Sequence, residues 1–446
     1  MKKVSFSVFR ARWLVIVAVI VIMGIMTGCS NFQSTDVASG GTGDIGNFTT
    51  VTSGLVRDTS QASDTDVASV VQGNTIFAVK TLSKDPLDSN SFFSPYSITM
   101  AFALLAPGTA GTTLSGIEEA LSFPLPQSRF NPALNRLETI LAGNATGTLL
   151  PSGVASPKFS AANAVWAQKG FSILSPYLDT LALNYGAGVY TVDFAQALES
   201  SRQTINNWAA QSTNNKILDL IPTGGITSAT RLVLTNAVWF KSGWSTPFLQ
   251  SATTDRTFDN RDTSPSTIPF MAKKFTVPYV QTSDFQAVDI PYVGNALSLL
   301  VIMPKPGTID AFIASLTPAT LTHITTNLTT TYVDLALPKF NVTQKSNLNV
   351  LLKSLGMSDA FDPATADLSG IDGTRNLSVG NVFHQAVIGV DEQGTEAAAA
   401  TAIEITTTAI LNPSEALAVT IKNPFIFLIR DRTTGLILFM GKVVSL

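Results

Sequence analysis

Cysteine occurs once in the 446 residues, at Cys29, and histidine twice, at His323 and His384. A single thiol excludes an intrachain disulfide and a cysteine-based zinc site, so the stability of an exported form has to come from burial. Two histidines leave a His-dependent triad or metal cluster little to draw on, and no G-x-S-x-G elbow or H-E-x-x-H pair occurs. His323 lies in a polar stretch, LTHITTNLTTT, that suits a surface. His384 lies in VFHQAVIGV, where a catalytic role competes with a buried, hydrogen-bonded one and the buried role is favoured. Charge is scarce too: 13% of residues, with a net charge of -3, give no basic excess to attract nucleic acid or an anionic membrane surface. No cofactor and no metal is expected. Gly41-x-Gly43-x-x-Gly46 fits a dinucleotide fingerprint in form only, because no apolar strand precedes it and no helix follows.

What is present is a large apolar fraction, 45%, enough for an extensive core. At the N-terminus Lys2, Lys3, Arg10 and Arg12 precede the apolar run Trp13–Met26. That run is shorter than the ~20 residues that span a bilayer as a helix, and the order of basic, apolar and small residues is that of an export signal. Met26-Thr27-Gly28-Cys29 resembles a bacterial lipobox, departing from it at Met26 where leucine is preferred. The resemblance implies acylation of Cys29 and membrane anchoring through two or more acyl chains. Ser30 is not an aspartate-type retention signal, so the expected location is the outer membrane or cell surface, otherwise secretion. Residues 1–29 are expected to be a lipoprotein signal peptide, 30–66 a flexible Ser/Thr/Gly linker, and 67–446 the folded domain. A coil of that length separates its ends by roughly 30 Å on average.

Val67 to Leu82 has helical apolar spacing behind Asp66 as a cap, while Asn295 to Met303, Tyr332 to Leu337, Phe425 to Ile429 and Leu436 to Phe439 suit buried strands. Helical and strand-like segments alternate without a βαβ repeat, which predicts an α+β fold. The stretch Asp391 to Thr408, DEQGTEAAAATAIEITTT, suits two states. As a strand it would carry Thr395, Ala397, Ala399, Thr401, Ile403 and Ile405 on one uncharged face, and Glu396, Ala398, Ala400, Ala402, Glu404 and Thr406 on the other. Glu396 to Ala400 could equally form a helix, which the β-branched Ile403, Ile405, Thr406, Thr407 and Thr408 oppose.

This stretch closely resembles the hinge and reactive-centre loop of the serpins: Asp391, Glu392, Gly394, Thr395 and Glu396, followed by Ala397, Ala398, Ala399 and Ala400. Further matching motifs are FFSPYSITMAFALLAPGTAGTT (Phe92–Thr113), LTNAVWFKSGW (Leu234–Trp244), ALPKFNV (Ala336–Val342), GMSDAF (Gly356–Phe361), ADLSGI (Ala366–Ile371) and NPFIFLIRDRTTGLILFMGKVV (Asn423–Val444). The resemblance implies one domain of three β-sheets, about eight or nine helices and an exposed reactive-centre loop. It assigns Asn90, Ser94, Pro95, Ser97, Asn236 and His384 to a shutter beneath the main sheet, and Trp244 to the breach at its top. It also implies a suicide-substrate inhibitor, not an enzyme: a target serine protease forms its acyl-enzyme on the loop, the cleaved loop inserts as a strand, and deacylation stalls. The alternative is a non-inhibitory serpin acting as a binding or structural protein. Two alignments place the reactive bond at Thr408-Ala409 or at Ala409-Ile410. From Thr395 to Ile421 there is no Lys, Arg, Phe, Tyr or Trp, so an elastase-like or subtilisin-like target is expected, with a cysteine protease the lesser candidate. The family form is a monomer.

Overall fold

The computed structural model describes residues 48–59, 62–145, 147, 156–395 and 415–446. Helix α1 (Asp64–Lys84) begins where a serine can cap it: the Ser63 side chain accepts the Asp66 amide, and Asp64 and Asp66 sit favourably at the helix's positive end. The cap is therefore Ser63 instead of Asp66. Helices α2 (Pro95–Leu105), α3 (Gly111–Leu121), α4 (Gln127–Asn144), α5 (Ser175–Tyr185), α6 (Leu198–Ser212), α7 (Ile309–Ser315), α8 (Pro318–Thr326), α9 (Asn349–Ser354) and the short α10 (Ser369–Asp372) follow.

The strands are β1 (Thr49–Val51), β2 (Ser91–Phe93), β3 (Lys158–Gln168), β4 (Val189–Val192), β5 (Leu232–Gly243), β6 (Thr254–Phe258), β7 (Ser266–Gln281) and β8 (Phe285–Pro291). They continue as β9 (Leu297–Pro304), β10 (Thr329–Pro338), β11 (Phe340–Asn347), β12 (Val382–Val390), β13 (Gly394–Thr395), β14 (Leu417–Thr420), β15 (Phe425–Asp431) and β16 (Ile437–Val443). The four segments expected to be strands are strands, and β9 and β16 are buried along their whole length, as their unbroken apolar character requires.

One sheet has seven strands in the order β1-β4-β3-β5-β13-β12-β11; the other has nine strands, eight of them in the order β14-β10-β7-β8-β9-β15-β16-β2, with β6 added beside β7. The long β7 explains why the three sheets of the family plan form two hydrogen-bonded networks here. Its first part pairs with β6 and β10, and its last residues, Tyr279 to Gln281, pair with β8. Both faces of the seven-stranded sheet are covered: one by the main core that includes α1 to α5, the other under α6, where Trp208 meets Trp166 edge-on at 5.4 Å. This α+β architecture is the expected one.

Residues 48–59 lie within the stretch expected to be linker, yet β1 pairs with the edge strand β4. Too few apolar residues are present for this segment to fold alone, but a preformed sheet edge supplies the missing partner.

Candidate functional site

Strands β5 and β12 are the middle of the seven-stranded sheet, and they fork. Over Val382 to Val387 they pair directly and in parallel, with Leu234 to Trp239 opposite. Above that stretch β13 lies between them, antiparallel to both: Thr395 is opposite Ser242 on β5 and Val390 on β12, and Gly394 is opposite Gly243. The chain enters this wedge through a tight turn in which the Asp391 carboxylate accepts the Gln393 and Gly394 amides at 2.8 and 3.3 Å. Gly394 has φ +155°, and a Cβ there would lie 2.0 Å from the Ser242 carbonyl oxygen. Only glycine lets the two backbones approach so closely.

Within the wedge, Thr395 is fully buried and its hydroxyl is bonded to the Tyr292 hydroxyl. Tyr292 stacks on Trp244, with ring centroids 4.8 Å apart, and the Trp244 indole N–H donates to the Asp391 carbonyl at 2.8 Å. Glu392 turns into the fold beside it. Its carboxylate accepts the Thr253 hydroxyl at 2.7 Å and pairs with Lys339 at 2.9 Å. Burial pushes the Glu392 pKa up, but the bonds from Lys339 and Thr253 outweigh it, and the group titrates below its ordinary range. The breach is thus held by an aromatic stack, a hydroxyl pair and an ion pair.

Deeper in the sheet, His384 and Asn236 face each other across the paired part of β12 and β5. The buried His384 Nε2 accepts the Ser94 amide at 3.4 Å, so Nδ1 carries the proton and donates to Asn236 Oδ1. The Asn236 amide donates in turn to the Ser97 hydroxyl and to Asn163 Oδ1 on β3, each at 2.6 Å. Ser94, the cap of α2 with Pro95 after it, donates its hydroxyl to the Leu438 carbonyl of β16 at 2.6 Å. Burial alone lowers the His384 pKa to about 3, so the imidazole is neutral. A neutral, saturated imidazole with no acidic partner orients strands; it is not arranged as a general base. His323, by contrast, is exposed near the end of α8, as expected.

The structure therefore joins Ser94, Ser97, Asn236 and His384 into one buried cluster and brings Glu392, Gly394, Thr395 and Trp244 together above it. Asn90 does not join the cluster. Its side chain accepts the Val444 and Ser445 amides at 2.7 and 3.1 Å and donates to the Ser445 carbonyl at 2.6 Å, because it sits at the start of β2, where the chain's last strand ends. Sequence reasoning missed Asn163, Tyr292, Lys339 and Thr253. A polar Asn163 in the otherwise small and apolar AANAVWA is a local sign of a buried amide; Tyr292, Lys339 and Thr253 carry none. Glu396, Ala397 to Ala400, the reactive-bond candidates Thr408, Ala409 and Ile410, and Cys29 lie outside the described residues. Among the described residues no cluster of His, Cys, Asp or Glu could hold a metal ion, and no helix is long and apolar enough to cross a membrane.

A family model described as Serpin (serine protease inhibitor) matches residues 72–446. The chain is 33% identical to human leukocyte elastase inhibitor over 83% of its own length and 98% of that protein's. It is 34% identical to an uncharacterized serpin-like protein of Thermococcus kodakarensis, covering 80% of this chain and 81% of that one. Among solved structures, the thermophilic serpin tengpin in its native state superposes with TM-score 0.76 and 27% identity, over 88% of this chain and 96% of tengpin. Human thyroxine-binding globulin complexed with thyroxine gives 0.75 and 27%, over 85% and 99%. With the forked sheet, the buried histidine beneath it and a family match that runs to the last residue, the chain belongs to the serpin family of serine protease inhibitors.

Proposed function

We propose that this serpin is a suicide-substrate inhibitor of serine proteases that cleave after small residues, elastase-like or subtilisin-like, and that it traps the acyl-enzyme by inserting its cleaved loop between β5 and β12. The observation that carries this reading is the wedge. Gly394 and Thr395 already occupy the first two positions of an antiparallel strand between β5 and β12, with Thr395 turned into the core.

Extending that register predicts the rest of the inserted strand. Glu396 would pass between Lys241 and Gly389 on the outer face, where Lys241 can pair with it. Ala397 and Ala399 would enter the core beside Phe240 and Val238, and Thr401 would arrive between Asn236 and His384. Those two side chains are bonded to each other now, so insertion has to break that bond, and the Thr401 hydroxyl would replace it. The parallel β5–β12 pairing over Val382 to Val387 would give way to two antiparallel ladders. At about 1 kcal/mol net per ladder bond, full insertion is worth on the order of 10 kcal/mol, and the uncleaved form is kinetically held. An acyl-enzyme carried to the far end would travel roughly 45 Å.

Mixed with a neutrophil-type elastase or a subtilisin, the protein is expected to give a complex that survives denaturing electrophoresis, with a released peptide that begins after Thr408 or Ala409. Cleavage without any complex across small-residue proteases would reject the inhibitor reading and favour a binding or structural role. Leukocyte elastase inhibitor, the name of the human relative, points to the same protease class. The absence of Lys, Arg, Phe, Tyr and Trp from Thr395 to Ile421 supports it independently.

We further propose that the chain is exported and held at the cell envelope by acylation of Cys29, on the strength of the basic, apolar and Met26-Thr27-Gly28-Cys29 order. Intact-mass measurement of membrane-extracted protein should show a diacylglyceryl adduct. Cys29→Ala should remove it and release the protein from the membrane fraction. An unmodified Cys29 in the mature protein would overturn the anchor.

A further inference from the structure

Residues 48–58 precede the part matched by the family model and cross from the edge of the seven-stranded sheet to the helices beside it. At the sheet end, Phe48 packs edge-on against Trp166 and Tyr190, with centroids at 5.6 and 5.1 Å, and β1 pairs with β4 from Thr49↔Thr191 to Val51↔Val189. Midway, the Ser53 hydroxyl donates to the Asp179 carboxylate of α5. At the helix end, the Asp58 amide donates to the Leu183 carbonyl of α5 at 2.9 Å, and the Asn135 side chain of α4 donates to the Asp58 carbonyl at 2.6 Å. Arg57 donates to Asn135 Oδ1 at 2.8 Å and forms an ion pair with Glu138 of α4.

Glu138 is an expensive residue to place there. Its side chain is 13% exposed, and burial raises its pKa against the opposing pull of Arg57. Tyr96 of α2 and Tyr185 of α5 face the same carboxylate, and burial keeps both phenols protonated. The compensating cation comes from the N-terminal segment. Without Arg57 the carboxylate would be left buried and unpaired, which is the costly way to break such a pair.

The two ends of the segment hold parts of the molecule that must separate if a strand enters between β5 and β12. Making room for it moves the group β4-β3-β5 away from β12 and β11 by one strand spacing, ~4.8 Å. β1 is bonded to that moving group through β4, whereas Arg57 is bonded to α4, which packs on α1 and through it on β16 of the other sheet. The segment ties the mobile half of the sheet to the body.

We propose that residues 48–58 are a strap that restrains opening of the seven-stranded sheet, with Arg57 and Glu138 as its latch. The strap thereby sets the threshold for strand insertion, a role that rests on the inhibitory reading above, although its effect on the sheet is measurable without any protease.

The test is amide hydrogen exchange on the mature full-length protein, comparing wild type with Arg57→Met, Phe48→Ala and the double variant Arg57→Met/Glu138→Gln. Arg57→Met should raise exchange at the β5–β12 seam, Val382 to Val387, by tenfold or more, together with exchange at β1. Adding Glu138→Gln removes the unpaired carboxylate without restoring the tie to α4, so the seam should stay as fast as in Arg57→Met. Phe48→Ala frees the sheet end without touching the buried charge and should loosen the same seam, which keeps the test decisive if Arg57→Met does not fold. Faster exchange confined to β1 and β4, with the seam unchanged, would overturn the strap; a double variant restored to wild-type protection would overturn the latch, because the unpaired charge and not the lost tie would then have opened the seam. Complex formation with protease, followed on the same wild-type sample, reports separately on the inhibitory reading.

Discussion

Arginine in place of Thr395 is expected to abolish the denaturation-resistant complex and leave the protein as a substrate, cleaved at an unchanged rate. Thr395 is the first inward-facing residue of the wedge, with no exposed surface and its hydroxyl on Tyr292. An arginine entering there meets an aromatic floor, the Glu392 carboxylate beside it being already paired with Lys339, and an unpaired buried charge costs several kcal/mol. Every 1.4 kcal/mol added to the insertion barrier slows insertion about tenfold, while deacylation by the bound protease keeps its own rate. The stoichiometry of inhibition should therefore rise by at least tenfold. Thr395→Ser keeps the hydroxyl and should behave as wild type. A melting curve taken alongside separates blocked insertion from damage to the uncleaved fold. Undiminished complex yield with Thr395→Arg would show that trapping does not proceed through this position.

The second large effect is at His384. Truncation to alanine would leave the Ser94 amide and Asn236 Oδ1 without partners in a fully buried site and open a cavity between β5, β12 and α2. The expected cost is about 3–5 kcal/mol, read as a shift in the unfolding midpoint. The same histidine gives the protein an acid-sensitive component of stability whose sign follows from its pKa. Unfolded, the imidazole takes up a proton near pH 6.5; folded, burial holds its pKa at about 3. Between those values the unfolded chain binds the extra proton. The contribution is thus complete above pH 6.5 and declines as pH falls towards 3, at up to about 1.4 kcal/mol per pH unit. His384→Gln can retain a hydrogen bond but does not titrate, so its stability should fall less steeply over that window. Equal slopes for both proteins in urea titrations at pH 7, 5 and 4 would place the acid sensitivity elsewhere.

How far the molecule is legible in its sequence differs from element to element. Strands β9, β15 and β16 are near-continuous apolar runs, and the buried fate of His384 is foreshadowed by VFHQAVIGV, because both depend on composition within a few residues. The start of α1 is displaced from Asp66 to Ser63 because the hydroxyl three positions before Asp66 accepts that residue's own amide. β1 escapes notice for a different reason. Thr49–Val51 is too short and too polar to be a strand by itself, and it becomes one because β4 offers an unpaired edge. The breach shows the same limit: Lys339, Tyr292 and Thr253 meet residues 391–395 across 53, 103 and 139 positions respectively. No periodicity within one segment can encode such pairings, and Asn90 illustrates the converse error, a motif residue whose partners turn out to be the chain's last two amides before Leu446.

The sequence by itself determined the chemical inventory. It determined that no intrachain disulfide and no histidine-rich catalytic centre can form, that the fold is α+β, and that the stretch after Gly394 has one face small and uncharged enough to be buried as a strand. These are properties of single residues and of their local alternation. Only the tertiary structure decided that β5 and β12 part above Val387, that Thr395 turns towards Tyr292, that Asn163 completes the cluster around His384, and that Arg57 reaches Glu138. Those outcomes depend on register and on pairs brought together from distant parts of the chain. A one-residue change of register would send the strand side chains Thr395 and Asn163 to the other face, so the pattern of residues states what each strand can bury and the assembled sheet determines what it meets there.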